Sequence, residues 1–385
     1  MSRSSRRVVI VVCDGLGVGA TPDAAAYGDG GADTLRHVLE RCPVALPRLE
    51  ELGLLSLAGA GRPCGARGRM AEVSAGKDST TGHWEMMGLA VERPFPLYPN
   101  GFPPEVVGPF ERYLGKRVLG NKAASGTVIL EDLGALHLST GRPILYTSGD
   151  SVFQVAAHEE VWAPERLWEV CRFARGLLTG PHAVGRVIAR PFTGRPGSFR
   201  RTANRRDFSV EPIGETWLDR LVAAGRRVFG VGKIVDIFAG RGLTDSVHTG
   251  SDAEGLRVTT ERARSGAWDC VFTNLVDFDS KYGHRNDPAG FAKALAVLDG
   301  ALPELLASLG PEGLLFLTGD HGCETTDVST DHTREYVPLL VGGPRVRRDV
   351  DLGVRSSFCD LSATAGEFLG IPGPRGESAL GRLLD

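Results

Sequence analysis

Three short apolar runs in this chain each end in an aspartate: VVIVVCD at 8–14, VFTNLVD at 271–277 and LLFLTGD at 314–320. Runs of this kind, dominated by Val, Ile, Leu and Phe with little polar alternation, are the pattern of strands buried on both faces of a parallel sheet. In open α/β sheets, ligands gather outside the carboxyl ends of the strands. The aspartates therefore stand where chemistry is expected.

Strands are expected at 8–13, 227–231, 270–276, 314–318 and 337–341, with helical patterns at 215–224, 252–265 and 289–308 between them. That alternation predicts an α/β fold with a mostly parallel sheet and helices on both faces. The last helical pattern is arranged around an internal Gly-Ala-Leu-Pro step. A different texture occupies 93–212. It opens with the Pro-rich RPFPLYPNGFPPE and contains its own helical pattern at 164–178 and strands at 143–147 and 184–190. This predicts a smaller α/β domain at 93–212, inserted into a core formed by 1–92 and 213–385.

With 385 residues, 42% of them apolar, and a net charge of −3, the chain has an enzyme-like composition and lacks the basic excess of nucleic-acid-binding modules. The arginines of RPGSFRRTANRR at 195–206 read as a solvated loop or a local anion site. Seven scattered cysteines without a CxxC pair predict reduced thiols and a cytoplasmic setting. At the start, MSRSSRRVVIVVCDG places arginines ahead of an apolar run, but that run is too short for a signal peptide and reads as the first strand. No stretch approaches the ~20 apolar residues of a membrane span. Neither a membrane, a nucleic acid nor an obligate protein partner is expected.

The first aspartate, Asp14, precedes Gly15, Gly17 and Ala20, a match to G-x-G-x-x-A. Thr21-Pro22 follows at once and no amphipathic helix begins there, so the helix end that would hold a pyrophosphate is missing. In NLVDFDSKYGHRNDP, Asp279 precedes His284 by five residues; in LLFLTGDHGCETTDVSTDH, Asp320 and His321 are adjacent and His332 follows. Adjacent strand residues point to opposite faces, so Asp320 and His321 can share a site only where the strand has turned. The flanking Gly319 and Gly322 permit that turn. Three carboxylates and three imidazoles suit Mn, Zn or a similar divalent ion. Six ligands exceed one tetrahedral site but fit two ions, which could stabilise both oxygens of an in-line displacement. Two divalent ions against three carboxylates leave roughly +1 to meet a phosphate.

The stretch GKDSTTGHWE at 76–85 sets Ser79, Thr80 and Thr81 side by side. Alone it reads as a turn or a helix cap, since Ser and Thr are favoured in both.

Taken together, VCDGLGVGATPDA, GKDSTTGHWEMMG, GNKAASGT, YTSGDSVFQVAAHEE, GRVIARPF, NLVDFDSKYGHRNDP, TGDHG and TDHTREYVPLL make the chain similar to the phosphopentomutase family of the alkaline phosphatase superfamily. The resemblance runs through almost the entire sequence. It implies an alkaline-phosphatase-like core and two divalent ions, usually manganese. One would be held by Asp279, His284 and His332, the other by Asp14, Asp320 and His321 with the hydroxyl of Ser79. Asp277 and Asp331 are the neighbouring carboxylates it sets aside, the latter as an orienter of His332. The inserted segment becomes a cap domain for a pentose phosphate. Ser148 and Asp150 would meet the sugar hydroxyls; Arg186, Arg201 and Lys233 would hold the non-reacting phosphate. The implied activity interconverts ribose (or 2-deoxyribose) 5-phosphate and 1-phosphate through phosphorylated Ser79 and a 1,5-bisphosphate. A sugar bisphosphate of the glucose 1,6-bisphosphate type would prime it. Two positions depart from the family pattern: Ser79 where threonine is usual, and Cys323 where asparagine is usual.

Overall fold

The structure, a computed structural model, describes residues 6–148 and 151–384. The chain divides into two compact units, Met1–Arg93 with Pro212–Asp385, and Pro94–Glu211. Among the described residues, the larger unit holds an eight-stranded sheet. Its order is Asp245–Val247, Val228–Val231, Cys270–Leu275, Arg7–Cys13, Gly313–Thr318, Val337–Gly342, Ala66–Met70 and Val350–Arg355. Val337–Gly342 runs antiparallel to both of its neighbours, and the other pairings are parallel.

Arg7–Cys13 lies between Cys270–Leu275 and Gly313–Thr318 and is buried on both faces, as its unbroken Val-Ile run requires. Cys13 pairs with Leu275 and Val12 with Thr318, so the three chains leave the sheet at one level. The three aspartate-bearing loops thus begin side by side at the carboxyl edge of the sheet.

The helix Pro288–Ser308 runs through the Gly-Ala-Leu-Pro step without interruption. Asp287 caps it by accepting from the Gly290 amide at 2.9 Å, and Pro288 occupies the first turn, where it forfeits no hydrogen bond. Interior Pro303 costs a helix about 3 kcal/mol. Burial of Leu295, Leu298, Leu302 and Leu305 on one stripe, at roughly 1.5–3 kcal/mol each, outweighs it.

The short helix Ser79–Met86 offers no amphipathic pattern, because Thr81 through Met86 are all buried. Its cap is Asp78, which accepts from the Thr80 and Thr81 amides at 2.9 and 3.1 Å. The adjoining hydroxyl residues, expected to turn or cap the chain, form the first turn of the helix instead. Asp78, one residue ahead of them, offers a charged acceptor that reaches both amides.

In the smaller unit, a sheet in the order Leu119–Ala123, Ile144–Thr147, Val152–His158, Arg186–Thr193 and Arg200–Arg201 also pairs Arg206–Ser209 with Arg186–Thr193. Phe102, Phe110, Phe153, Leu167 and Val170 pack one core cluster; Ile129, Ile144, Tyr146 and Phe192 pack another.

Gly82 lies against the Asp320 main chain so closely that a Cβ would collide with the Asp320 carbonyl oxygen. Gly82→Ala must push the Ser79 helix off the sheet edge. The expected loss is roughly 1–3 kcal/mol of stability, the usual range for overpacking, measured by denaturant unfolding.

Candidate metal centre and nucleophile

Asp14, Asp320 and His321 form one potential ion-binding group, and Asp279, His284 and His332 a second, with the ligand atoms of each group within 4.8 Å of one another. Every member but His284 is buried. Past Thr318 the chain has left the strand, and the bare Gly319 lets it approach the Leu16 carbonyl. Gly322 and Thr333 then exchange two main-chain hydrogen bonds of 2.9 and 2.8 Å. This return brings His332 to stack on His321, with ring centroids 3.8 Å apart. Asp279 sits in one turn of π-helix, Phe278–Tyr282, and His284 in the 3₁₀ turn that follows it.

All three histidines are held in the same way. His321 Nδ1 lies 2.9 Å from the Gly322 carbonyl, His332 Nδ1 is 3.0 Å from that of Lys77, and His284 Nδ1 is 2.7 Å from that of Thr330. A carbonyl can only accept, so each Nδ1 carries the proton. Each Nε2 is then the atom that faces the carboxylates. His321 Nε2 is 3.3 Å from Asp14 Oδ1, His284 Nε2 is 3.2 Å from Asp279 Oδ1, and His332 Nε2 is 3.5 Å from the same oxygen. His332 is oriented by the Lys77 carbonyl; Asp331, the expected orienter, accepts from the His332 main-chain amide and lies 3.5 Å from Lys77 Nζ, with no bond to the His332 ring among the described residues.

Among the ligand candidates, the buried atoms Asp320 Oδ2 and His332 Nε2 have no hydrogen-bond partner. Buried polar atoms are almost always satisfied. Together with three carboxylates and three imidazoles whose Nε2 atoms converge, they fit two divalent cations better than a hydrogen-bonded network.

Ser79 Oγ is 3.2 Å from both Asp14 Oδ1 and His321 Nε2, on the first of the two groups. Thr81 Oγ1 instead bonds back to Asp78. Fully buried His83, one turn along the helix, gives Nδ1–H to the Ser79 carbonyl at 2.8 Å. Asn274 Nδ2 lies 3.2 Å from Asp14 Oδ2 and 3.3 Å from His83 Nε2. Gly15 N donates to Asp320 Oδ1 at 2.9 Å. Sequence reasoning did not single out His83, Asn274 or buried Glu335. Glu335 accepts from the Gly19 and Thr34 amides and from the Thr34 and Thr333 hydroxyls. A Cβ at Gly17 or Gly322 would collide with its carboxylate. Gly17 of the G-x-G stretch thus makes room for a buried acid, and a run of glycines was the available signal.

Lys233 Nζ reaches both groups, 3.0 Å from Asp14 Oδ2 and 3.7 Å from Asp279 Oδ2. Burial pushes Asp14 up, but Lys233 and His321 outweigh it and hold the carboxyl well below its usual range. For Asp279, burial and Asp14 raise the pKa, and His332 and Lys233 bring it down to about 2. Burial works against protonated His321, yet Asp320 and Asp14 draw its pKa well above the usual imidazole value. Cys323 is packed beside Gly15 and Gly283, its Sγ 3.9 Å from Asp279 Oδ1. Burial, then Asp279, keeps the thiol protonated.

The remaining expected contacts fall in the smaller unit. Arg186 lies 3.7 Å from Asp207 Oδ2 on one face of the sheet, with Arg190 on the same face by register. Arg201 packs against Gly126 and, with Arg190 and Arg205, lies near the buried Tyr146. Arg190 donates to Gln154, and Arg205 pairs with Asp207. Ser148 is half-buried, and Asp150 lies outside the described residues.

An ion that takes His321 Nε2 must displace a proton, so apparent metal affinity should rise with pH, with proton release, through and above the ordinary imidazole range. The Lys233 ammonium competes for the same oxygens. Lys233→Met should tighten Mn²⁺ binding by up to roughly fivefold, the worth of one partly exposed ion pair. Calorimetric titration in two buffers of different ionisation enthalpy measures both effects.

Comparison with known proteins points to a metalloenzyme. The sequence pattern of the Metalloenzyme superfamily matches residues 6–372. A phosphopentomutase of Caldanaerobacter subterraneus subsp. tengcongensis is 55% identical over 372 residues, covering 95% of each chain. One from Carboxydothermus hydrogenoformans is 53% identical over 385 residues, covering 98% of this chain and 99% of its own. Among solved structures, Leishmania mexicana phosphoglycerate mutase superposes with a TM-score of 0.50 at 14% identity, covering 97% of each chain, a likeness of fold alone. The chain belongs to the Metalloenzyme superfamily and, within these relatives, to the phosphopentomutase family.

Proposed function

We propose that this chain is a phosphopentomutase, an intramolecular phosphotransferase that interconverts ribose or 2-deoxyribose 5-phosphate with the 1-phosphate. The observation that carries the mechanism is the position of Ser79 Oγ, 3.2 Å from a carboxylate and an imidazole of one ion-binding group. In this reading Ser79 is the phosphoryl carrier. Its Oγ–phosphorus bond breaks as O1 of the 5-phosphate accepts the group, giving the 1,5-bisphosphate. The bisphosphate turns end for end. Its 5-phosphoryl group returns to Oγ and the 1-phosphate leaves.

Asp14, Asp320 and His321 would hold one divalent ion, and Asp279, His284 and His332 the other, with manganese as our assignment for both. When bound, such ions polarise phosphoryl oxygens and lower the pKa of a coordinated hydroxyl. The chain itself supplies orientation: His83 fixes the Ser79 carbonyl, and Asn274 fixes Asp14. Arg186 and Arg201 of the smaller unit would bind the non-reacting phosphate, and Ser148 and Asp150 the sugar hydroxyls. Lys233, the third residue of this phosphate set in the proposed reading, lies with the ion-binding carboxylates in the larger unit. A sugar bisphosphate of the glucose 1,6-bisphosphate type would install the first phosphoryl group. The smaller unit would act as a cap that excludes water during transfer. A cytoplasmic setting suits the seven cysteines, none of which is paired.

The test is to supply manganese-loaded protein, primed with the bisphosphate, with ribose 5-phosphate and follow phosphorus NMR. Ribose 1-phosphate should accumulate; free phosphate alone would identify a phosphatase. Ser79→Ala should lose more than about a thousandfold of the rate, as removal of a nucleophile does. Threonine's methyl restricts χ1 rotation, so Ser79→Thr should release less free phosphate per turnover than the native serine.

A further inference from the structure

Arg334 stands two residues beyond His332, and only 3% of its side chain is exposed. Its guanidinium donates to three main-chain carbonyls: Glu72 at 2.6 Å, Ser74 at 2.8 Å and Gly76 at 2.6 Å. It also donates to Glu72 Oε2 at 2.8 Å and to Asp23 Oδ2 at 3.1 and 3.2 Å, and lies 4.9 Å from the Tyr27 ring centroid. The three carbonyls belong to alternate residues of the segment that leads into Asp78 and Ser79.

The same segment is held from its amide side. Buried Glu85 accepts from the Val73 amide at 3.0 and 3.1 Å, and from the Ser74 amide and hydroxyl at 2.6 and 2.5 Å. One link further, His332 holds the Lys77 carbonyl, and Asp29 accepts from both Lys77 Nζ and the Arg334 amide. The segment before Ser79 is therefore tied, carbonyl by carbonyl, to the strand return that supplies His332.

We infer that Arg334 is a positioning residue for transfer: it fixes the Ser79 hydroxyl relative to His321 and His332 by clamping the carbonyls of residues 72, 74 and 76. A guanidinium has five N–H donors in a planar fork, whereas a lysine ammonium has three on one point. Lysine can keep the charge opposite Glu72 and Asp23 but cannot span the three carbonyls. Misplacement of a reacting atom by about 1 Å costs on the order of a hundredfold in rate. The inference rests on the reading of Ser79 as phosphoryl carrier.

The experiment uses the full-length manganese-loaded enzyme, assayed well below each variant's melting temperature. Arg334→Lys should lower kcat about a hundredfold, leave KM and manganese stoichiometry unchanged, and raise the free phosphate released per turnover. Asp29→Asn loosens the same strap without emptying a buried site. It should show the same split at about a tenth of the size, and it serves as the test if Arg334→Lys does not fold. Asp23→Asn, which spares all three carbonyl bonds, should lower stability and leave kcat near the native value. A native kcat and phosphate leak in folded Arg334→Lys, or in Asp29→Asn if the lysine variant does not fold, overturns the inference and leaves the Ser79 reading intact. An active Ser79→Ala overturns both.

Discussion

Three imidazoles give their Nδ1 protons to main-chain carbonyls, and the rest of the centre depends on that choice of tautomer. A histidine that donated from Nε2 instead would turn a hydrogen toward the carboxylates and could not share a cation with them. The three carbonyls come from different places: Gly322 beside His321 itself, Thr330 in the return loop, and Lys77 before the Ser79 helix. The backbone before the Ser79 helix and that of the return loop are thus part of the ligand shell's support. Any motion of either loop is also a rotation of an imidazole.

The parts of this arrangement that were legible in the sequence share one physical cause. A strand buried on both faces excludes charge, so an aspartate directly after VVIVVC or LLFLTG marks the sheet edge with little ambiguity. Asp14, Asp279, Asp320 and their histidines followed from that edge, and the family resemblance grouped them. His83 and Glu85 lay in plain view within GKDSTTGHWE, but their roles could not be read there. His83 meets Asn274, 191 residues away, and Glu85 meets Phe358, 273 residues away. The Ser79 helix was invisible for a related reason. Nearly every residue in it is buried, so it has no polar face to set a period. Arg334, in TDHTREYVP, was not singled out in the sequence: three of its partners are main-chain carbonyls, which carry no sequence signal, and its carboxylate partners Glu72 and Asp23 lie 262 and 311 residues away.

Lys233 stands at a different place from the two arginines with which the resemblance groups it. The family pattern assigned it to a phosphate, with Arg186 and Arg201. Its ammonium lies 3.0 Å from Asp14 Oδ2, at the edge of the ion-binding groups. The two positions are compatible if the reacting region presents both cations and phosphate oxygens to the same side chain. A compact, strongly hydrated ammonium on a flexible stem can change partners in a way that a fork-shaped guanidinium cannot.

The donors are also held by the protein independently of what they bind. Asp320 Oδ1 accepts from Gly15 N, Asp14 Oδ2 from Asn274 and Lys233, and each histidine has its carbonyl. Zinc-finger-like sites differ, because there the ion supplies the folding energy and no preformed geometry exists without it. Here the parallel sheet sets the level of the three loops, and main-chain bonds set the rotamers. One oxygen, Asp320 Oδ2, is left buried without a hydrogen bond, and His83 Nδ1, 3.3 Å away, gives its proton to the Ser79 carbonyl instead. An unsatisfied carboxylate oxygen destabilises the fold. It persists here beside the hydroxyl that a bound cation would activate, which is where such a cost has a functional return.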